Sequence, residues 1–352
     1  MIPYIEIIDK YTLKPFALIE PSECWFELSY FEVGEFEIYA RATPKNLNAL
    51  KKGHYVKIPN KRYVWVITSI SYSYTAGGTR MISAKGYEAK WLLYKRIIQT
   101  PLQLPLTLTA AVYKLVNDNL GDNASEARKI TGFSFELINI DINLTDTQAT
   151  RGNLGEFVNN LLKTYGCGSQ VVYEDGQLKY KILQGQDKRQ TIRFSQSLDN
   201  LIASSYFSSD EELATSALVV STVEDIDYTK EYDKGATGID RAEILINSNL
   251  STKYEDANGV EQETTPTSTL YQSWQVEEAK EELTNHVTLE EVNGEIDLIN
   301  SKYTFGTDYT LGDVVLIQDE YFNFFITPQI LKYTFKQDAK SYGEEAEYGG
   351  AK

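Results

Sequence analysis

The chain has few of the residues that most often carry chemistry or covalent cross-links. Its 352 residues include 2 cysteines, 2 histidines and 2 methionines. Two thiols, Cys24 and Cys167, do not make a disulfide framework, and a chain of this length needs none. We therefore expect folding in a reduced, cytosolic compartment. His54 and His286 do not share one helix face, which excludes the two-histidine metalloprotease motif.

Long hydrophobic runs are also missing. A run such as Val314-Val315-Leu316-Ile317 is far too short to span a bilayer. The N-terminal segment, Met1-Ile2-Pro3-Tyr4-Ile5-Glu6, has no basic region followed by a long apolar stretch, so it is not a signal peptide. The sequence thus predicts no membrane-spanning segment.

Basic charge is scarce relative to acidic charge. Lys and Arg total 34 against 50 for Asp and Glu, giving a formal net charge of −16. This argues against binding to a phosphate backbone, which needs a basic face. Hydrophobic content of 42% and charged content of 24% are typical of folded domains. A chain of this length predicts two or three domains.

Residues 1–100 have the pattern of a first β domain. Short runs with alternating or β-rich composition are separated by turn residues, at 4–8, 24–30, 35–39, 55–58, 63–67 and 81–85. Ala76-Gly77-Gly78-Thr79 tolerates positive φ and predicts a hairpin tip, while residues 44–50 predict one helical turn. Regularly spaced short strands favour a closed or nearly closed barrel.

Residues 101–190 predict a small α+β insert. Pro101 and Pro105 mark the break, and Thr109 is a candidate cap for a helix reaching about residue 120. Asn153 predicts a second helix start, followed by an apolar stripe at helical spacing that comprises Leu154, Phe157, Val158, Leu161, Leu162 and Tyr165. The Asp175-Gly176 pair between two β-rich runs predicts a hairpin.

Residues 191–352 return to β-rich composition and predict a second barrel-like domain. Its strands are expected at 192–194, 201–207, 217–222, 242–246, 289–299, 313–318 and 324–335. A helical insertion is predicted near 270–287, after an exposed polar loop at 248–268. The acidic, glycine-rich tail at 341–352 predicts a loose segment unless it docks.

The candidate catalytic residues are better explained by structural roles. His54 lies before a predicted strand and His286 near a helix end, and neither has a neighbouring cysteine pattern. Cys167 between two glycines could act as a nucleophile, but a small residue in a helix-ending turn is the simpler interpretation. Cys24 is interpreted as a strand residue.

Three acidic segments leave a cation site or a glycosidase-type acid pair open. They are 210–212, 224–227 and the Asn117-Asp118-Asn119-Leu120-Gly121-Asp122 stretch. The last of these lacks the alternating ligand positions and the later Glu of a calcium loop. Solvated surface is the favoured interpretation, with calcium as the main alternative. The sequence therefore predicts no catalytic, cofactor-binding or metal-binding residue and no cofactor.

Tyrosine is abundant, with 25 residues beside 4 Trp and 14 Phe. Such residues are typical of protein interfaces and carbohydrate platforms, but they also favour strands. The run Tyr321-Phe322-Asn323-Phe324-Phe325 is apolar enough to predict burial in a core or in a subunit contact.

Two short patterns near the two ends of the chain carry a resemblance. The first runs through Gly34-Glu35-Phe36-Glu37-Ile38, Lys85-Gly86-Tyr87-Glu88 and Leu92-Leu93-Tyr94-Lys95-Arg96-Ile97. The second is Asp308-Tyr309-Thr310-Leu311-Gly312-Asp313-Val314-Val315. In this order the patterns resemble the tail hub of long-tailed, siphovirus-type bacteriophages, which is the N-terminal structural region of the tail-associated lysin.

The resemblance implies a mainly β fold with two β-barrel-like domains, a small α+β domain and an appended helix. It implies a homotrimer at the virion tail tip, assembled in the host cytoplasm. Its expected partners are the distal tail protein ring, the tape-measure protein and receptor-binding proteins or a fibre, and double-stranded DNA would pass through without specific binding. The chain extends about forty residues past Gly312-Asp313, so we expect the hub alone, without a lytic region.

Two other function classes remain open on sequence alone. One is a receptor- or carbohydrate-binding module at the tail tip. The other is a cell-wall hydrolase that uses an acidic pair, which the absence of a recognisable catalytic motif disfavours. Saccharide affinity of an aromatic platform would favour the binding module, and a ring without such affinity would favour the hub.

Overall fold

The computed structural model describes residues 2, 4–74, 78–138, 140–297, 301–321, 324–338 and 341–349. Strands dominate this part of the chain. In chain order they are β1 (Ile5–Ile8), β2 (Pro15–Ile19), β3 (Glu23–Ser29), β4 (Glu35–Arg41), β5 (Tyr55–Lys57), β6 (Val64–Tyr74), β7 (Arg80–Glu88), β8 (Ile97–Ile98), β9 (Leu102–Gln103), β10 (Phe133–Phe135), β11 (Gln148–Ala149), β12 (Gly152–Asn153), β13 (Cys167–Glu174), β14 (Gln177–Gln184), β15 (Arg193–Ser195), β16 (Leu201–Ser209), β17 (Ser216–Val223), β18 (Ile226–Asp233), β19 (Glu243–Ser248), β20 (Lys253–Glu255), β21 (Glu261–Glu263), β22 (Leu289–Ile296), β23 (Leu316–Asp319), β24 (Phe324–Ile326), β25 (Gln329–Gln337) and β26 (Tyr342–Gly349).

Helices are fewer and lie mainly in the middle of the chain. The α-helices are α1 (Pro44–Ala49), α2 (Leu108–Asn119), α3 (Leu154–Thr164) and α4 (Thr269–Leu283), and 3-10 turns occur at Ala89–Lys95, Gln196–Leu198 and Gly238–Asp240. None of the helices among the described residues is long and apolar enough to cross a membrane.

One large antiparallel sheet joins the two ends of the chain. Its eleven strands follow the order β16-β22-β26-β25-β3-β4-β7-β6-β5-β1-β2. The joint is the pairing of β25 with β3, which runs from Lys332 opposite Ser29 to Gln337 opposite Cys24. The predicted hairpin of β6 and β7 is confirmed, although Ala76 and Gly77 of its tip lie outside the described residues.

The expected fold class, mainly β with an α+β insert, is confirmed, but barrel closure is not. The eleven-stranded sheet ends at β2 on one side and at β16 on the other, so over the described ranges it forms no closed barrel. Both ends of the chain contribute to one hydrophobic core, which includes Phe26 and Trp65 from the first part and Phe335 and Tyr348 from the last. The domain division at 1–100, 101–190 and 191–352 stays a prediction.

The insert packs its helices on the hairpin β13–β14. The predicted stripe of α3 is confirmed, since Leu154, Val158, Leu161 and Leu162 are buried. Its cap is Asn153, whose Oδ1 accepts from the Gly155 and Glu156 amides at 2.9 and 3.2 Å. For α2 the predicted cap was wrong by two residues. Thr107 caps that helix, since its hydroxyl oxygen accepts from the Ala110 amide. The Thr109 hydroxyl donates to the Ile138 carbonyl instead.

A further unit packs α4 on the three-stranded sheet β18-β17-β19. Ala217, Val219, Ala279 and Leu283 form its small core. The predicted exposed loop at 248–268 needs correction, because it contains the short hairpin β20–β21, and β20 pairs with β9 of the insert. The predicted strand at 289–299 is found as β22, and residues 298 and 299 lie outside the described ranges.

The tail, predicted to be loose unless it docks, is docked. Strand β26 pairs with β25 and β22 inside the large sheet, and Ala346 and Tyr348 are buried. The tail is acidic, but Ala346 and Tyr348, two positions apart, point to the core, and their burial outweighs the glycine content of the strand. Residues 350–352 lie outside the described ranges.

Candidate functional site

Gly312 of the C-terminal motif lies at one buried junction, which we call the Tyr30 junction and define by Tyr30, Gly168, Gly185 and Gly312. The Tyr30 hydroxyl lies 3.0 Å from the Gly166 carbonyl and 3.1 Å from the Leu183 carbonyl, and the Gly185 amide donates to it at 3.1 Å. Tyr30 follows β3, Gly168 is in the insert, and Gly312 is near the C-terminal strands. The junction therefore ties three parts of the chain together.

Glycine is required at this junction for steric reasons. A Cβ on Gly312 or Gly168 would overlap the Tyr30 ring, and a Cβ on Gly185 would overlap the Gly312 carbonyl. Gly312 also has a φ of +87°, which L-residues with a side chain rarely adopt. The backbone of the C-terminal part can approach Tyr30 only because no side chain intervenes.

Asp313 fixes the loop that carries Gly312. It is 2% exposed, and its two carboxylate oxygens accept from the Gln186 amide at 2.8 Å and the Thr310 amide at 3.0 Å. Each oxygen thus satisfies a backbone donor that would otherwise be buried without a partner. The Gly-Asp pair of the C-terminal motif therefore has a structural role, since Gly312 permits the approach and Asp313 holds it.

A buried ion pair lies beside the junction. The Lys90 Nζ is 3.7 Å from the Glu88 Oε2 and donates to the Ser29 and Ser169 carbonyls at 2.6 and 3.1 Å. Glu88 is 0% exposed and Lys90 is 3% exposed. Burial raises the pKa of Glu88 and lowers the pKa of Lys90, and their mutual attraction opposes both effects. The pair joins β7 to β3 and to the insert.

The two histidines do not form a catalytic arrangement in the structure. The His54 Nδ1 accepts from the Lys10 amide at 3.3 Å, and burial lowers the pKa of this histidine. The ring of His286 lies at the end of α4, with its Nε2 3.4 Å from the Glu282 Oε1. His54 stands in the turn before β5, close to where the sequence placed it.

Both cysteines are buried thiols without a partner cysteine. Burial raises the pKa of Cys24 to about 12 and of Cys167 to about 11, which disfavours the nucleophilic thiolate. Cys167 is the first residue of β13, one step later than the turn in which the sequence placed it.

The acidic segments are dispersed over separate turns. Residues 210–212 follow β16, and Glu224 and Asp225 form the tight turn between β17 and β18, with φ values of 51° and 62°. In the third segment the Asn117 Oδ1 accepts from the Asp122 amide, so this stretch is a helix end. Within the described ranges, no group of three or more His, Cys, Asp or Glu side chains is placed to hold a metal ion.

Two residues of the aromatic run at 321–325, Tyr321 and Phe325, lie outside the core. Tyr321 is 86% exposed and Phe325 is 62% exposed. Burial within one chain is therefore wrong for these two residues, and a subunit contact stays a prediction. Phe322 and Asn323 lie outside the described residues.

Sequence reasoning missed an acidic cavity along α4. A cavity of about 150 Å³ separates this helix from the insert, and its lining includes Glu278, Glu281, Phe157 and Thr147. The Glu278 Oε2 has no hydrogen-bond partner. Burial, and secondarily the neighbouring Glu278, raise the pKa of Glu281 to about 8. The Glu-Glu repeats at 277–278 and 281–282 were a visible signal, because this spacing puts them on one helix side.

Glu281 is expected to make stability fall as pH rises. Its pKa is raised in the folded state, so its contribution is fully present below the unfolded value near 4.5 and is lost as pH rises to about 8. We expect the thermal midpoint to fall from pH 5 to pH 8 in the wild type and to fall less in Glu281→Gln. Glu261→Gln, an exposed change on β21, is the matched control and should keep the wild-type slope; equal slopes in all three proteins would contradict the prediction.

The family of the chain follows from its similarity to known proteins. The family model for the Siphovirus ReqiPepy6 Gp37-like protein matches residues 19–349. The chain belongs to this family of siphovirus tail proteins. The match includes the Tyr30 junction and both end motifs, so the expected resemblance to siphovirus tail proteins is confirmed. The comparison with curated proteins finds no match.

Solved structures of tail proteins share the fold of this chain over nearly the whole length of the chain. A tail protein from Neisseria meningitidis MC58 has a TM-score of 0.59 at 11% identity, covering 98% of this chain and 96% of its own. The 43 kDa tail protein of prophage MuSo2 from Shewanella oneidensis has a TM-score of 0.59 at 14% identity, covering 99% and 98%. The prophage tail protein gp18 from Listeria monocytogenes EGD-e has a TM-score of 0.51 at 14% identity, covering 99% and 95%.

Proposed function

We propose that this protein forms a homotrimeric hub at the distal end of the tail. The hub would join the distal tail protein ring above to the tip below, and it would close the tube until DNA is ejected. Its work would be assembly and conformational opening, without bond chemistry. The observation that carries the proposal is the tail-protein fold, which extends over the whole chain and fixes both ends of it in one sheet.

The internal organisation supports a rigid building block. The pairing of β25 with β3 and the Tyr30 junction hold the first, middle and last parts of the chain in one arrangement. A part of this kind can transmit force between a ring above and a tip below without unfolding. Its net charge of −16 suits a conduit through which duplex DNA moves without being trapped.

The proposed partners follow from this position. They are two further copies of the chain, the distal tail protein ring, the tape-measure protein and receptor-binding proteins or a fibre. The protein would be assembled in the host cytoplasm and would reside at the virion tail tip. Double-stranded DNA would pass through the ring without specific binding.

The mass of the purified protein in solution tests the hub. Light scattering at several concentrations is expected to show a species of three times the chain mass of 40.0 kDa. A strict monomer at high concentration would count against the ring, and saccharide affinity of that monomer would favour a binding module. Release of soluble fragments from purified cell wall would instead favour a hydrolase.

A further inference from the structure

The large sheet ends in two edge strands. Strand β2 pairs only with β1, and β16 pairs only with β22, among the described strands. Phe16 and Leu18 on β2 are 50% and 45% exposed, and Tyr206 and Phe207 on β16 are 48% and 54% exposed. Edge strands of natural sheets are normally shielded by charge, bulges or coverage, because an open edge pairs readily with another chain. Pro15 and the bulge beside it shield only the start of β2, so the remaining part of β2 and the whole of β16 are candidates for pairing with a further strand.

Basic residues lie near the start of β2, and acidic residues follow the end of β16. Lys10 and Lys14 precede β2, and Lys51 and Lys52 lie in the neighbouring turn before β5. None of these four lysines forms an ion pair with a described residue, although the chain as a whole is strongly acidic. Three exposed acidic residues, Asp210, Glu211 and Glu212, directly follow β16, and their carboxylates likewise form no ion pair within the described ranges.

We propose that β2 of one copy pairs antiparallel with β16 of the next copy of this chain. The proposal rests on the proposed trimeric hub and names the surface that would build it. The occupant is a second copy because the strand that each edge lacks, with the complementary charge, is present at the opposite edge of the same sheet.

The charges select the direction and register of this pairing. In an antiparallel pair the start of β2 lies beside the end of β16, so Lys14 can oppose Asp210. The same register opposes Leu18 to Tyr206, which places two half-exposed apolar side chains together. A parallel pair would leave the acidic run without a basic partner. All pairings within the sheet are antiparallel, so without twist β2 and β16 would run in the same direction. A twist of about 20° per strand adds up to roughly half a turn over the sheet, which would let the two edges meet in the antiparallel sense.

Pairing of two different edges has a consequence for assembly. The contact is heterologous, so copies add head to tail, and the assembly ends only if the rotation closes. A ring of three would remove every open edge. The same contact without closure would produce chains of indefinite length, which a tail component must avoid.

Charge reversal tests the pairing. In the double variant Lys10→Glu/Lys14→Glu, the concentration at which the trimer dissociates is expected to rise about tenfold at low salt, because like charges then face each other. Adding Asp210→Lys and Glu211→Lys in the same chain should restore the wild-type value. Lys253→Glu/Lys302→Glu, which changes the net charge equally on exposed residues elsewhere, is the matched control and should leave dissociation unchanged.

Cysteine cross-linking tests the register independently. The variant Leu18→Cys/Tyr206→Cys is expected to form disulfide-linked dimers and trimers under mild oxidation, whereas either single variant should not, because Cys24 and Cys167 are buried. If the wild type is a trimer, the charge-reversal variant dissociates at the same concentration and the cysteine variant gives no cross-link, the edge pairing is overturned and the hub proposal stands. A wild-type monomer without cross-links would overturn both.

Discussion

Replacing Gly312 with alanine is expected to lower the free energy of unfolding by about 4 kcal/mol. Two penalties add at this position. The φ of +87° is costly for a residue with a Cβ, and the new methyl group would overlap the Tyr30 ring. Because Tyr30 is held by hydrogen bonds to the insert, it cannot move aside without breaking them. Chemical denaturation in urea measures the loss.

Gly259→Ala is the matched control for the backbone term alone. Gly259 has a φ of +79°, but a Cβ there meets open space. We expect a loss of about 1 kcal/mol at this position. If both variants lose the same amount, the close approach at the junction contributes nothing. Should Gly312→Ala fail to fold, Tyr30→Phe gives a second measurement, with an expected loss of about 1 to 2 kcal/mol from the hydroxyl alone.

Local signals in the sequence were sufficient for helix α3 and for the hairpin β13–β14. The stripe from Leu154 to Leu162 and the cap at Asn153 both concern residues within one helix, so their spacing determines the result. The hairpin of β13 and β14 follows from Asp175 and Gly176, which both adopt positive φ. In each case the interacting residues are close in sequence.

Long-range pairing was the part that the sequence did not reveal. The joint between β25 and β3 connects residues about three hundred positions apart, and no local pattern states which edge meets which. Strand β26 was missed because its glycines and glutamates suggested a loose tail, although the alternation ending in Ala346 and Tyr348 was present. The composition of this segment favoured a loose tail, whereas the spacing of Ala346 and Tyr348 favoured a strand. The segment forms a strand because both side chains are buried in the core.

The Tyr30 junction and the buried ion pair beside it were predictable only in outline. Gly34, Gly312 and Glu88 were recognised as parts of end motifs, but nothing in the sequence placed Lys90 or Tyr30 beside them. A lysine between apolar neighbours usually extends to solvent. Lys90 is buried because carbonyls from β3 and the insert converge on it, which is a property of the tertiary fold.

Lys90→Met is expected to destabilise the protein by about 3 to 5 kcal/mol at neutral pH, because it leaves Glu88 as a buried carboxyl without its counter-charge. The matched control is Lys85→Met on the same strand. Lys85 lies 3.0 Å from Glu37, and its own side chain is 55% exposed, whereas that of Glu37 is 9% exposed. Without Lys85, Glu37 keeps the hydrogen bond from the Ser83 hydroxyl, so the loss should stay below about 1 kcal/mol. Urea denaturation of both variants makes the comparison. Equal losses would show that the fully buried pair contributes no more than a pair with one exposed partner.

The pH dependence separates lost charge pairing from lost packing. Burial already raises the pKa of Glu88, and Lys90 partly opposes this effect, so removing the lysine raises that pKa further. An acid whose pKa is raised on folding stabilises the protein below its unfolded value, and this stabilisation is lost as pH rises through the folded value. Lys90→Met should therefore lose more stability at pH 8 than at pH 5. The double variant Glu88→Gln/Lys90→Met has no carboxyl at this site, so it should lack the additional loss at pH 8 that Lys90→Met shows. If Lys90→Met alone shows equal losses, the lysine acts by filling space and by donating to the Ser29 and Ser169 carbonyls, and the ion pair is incidental.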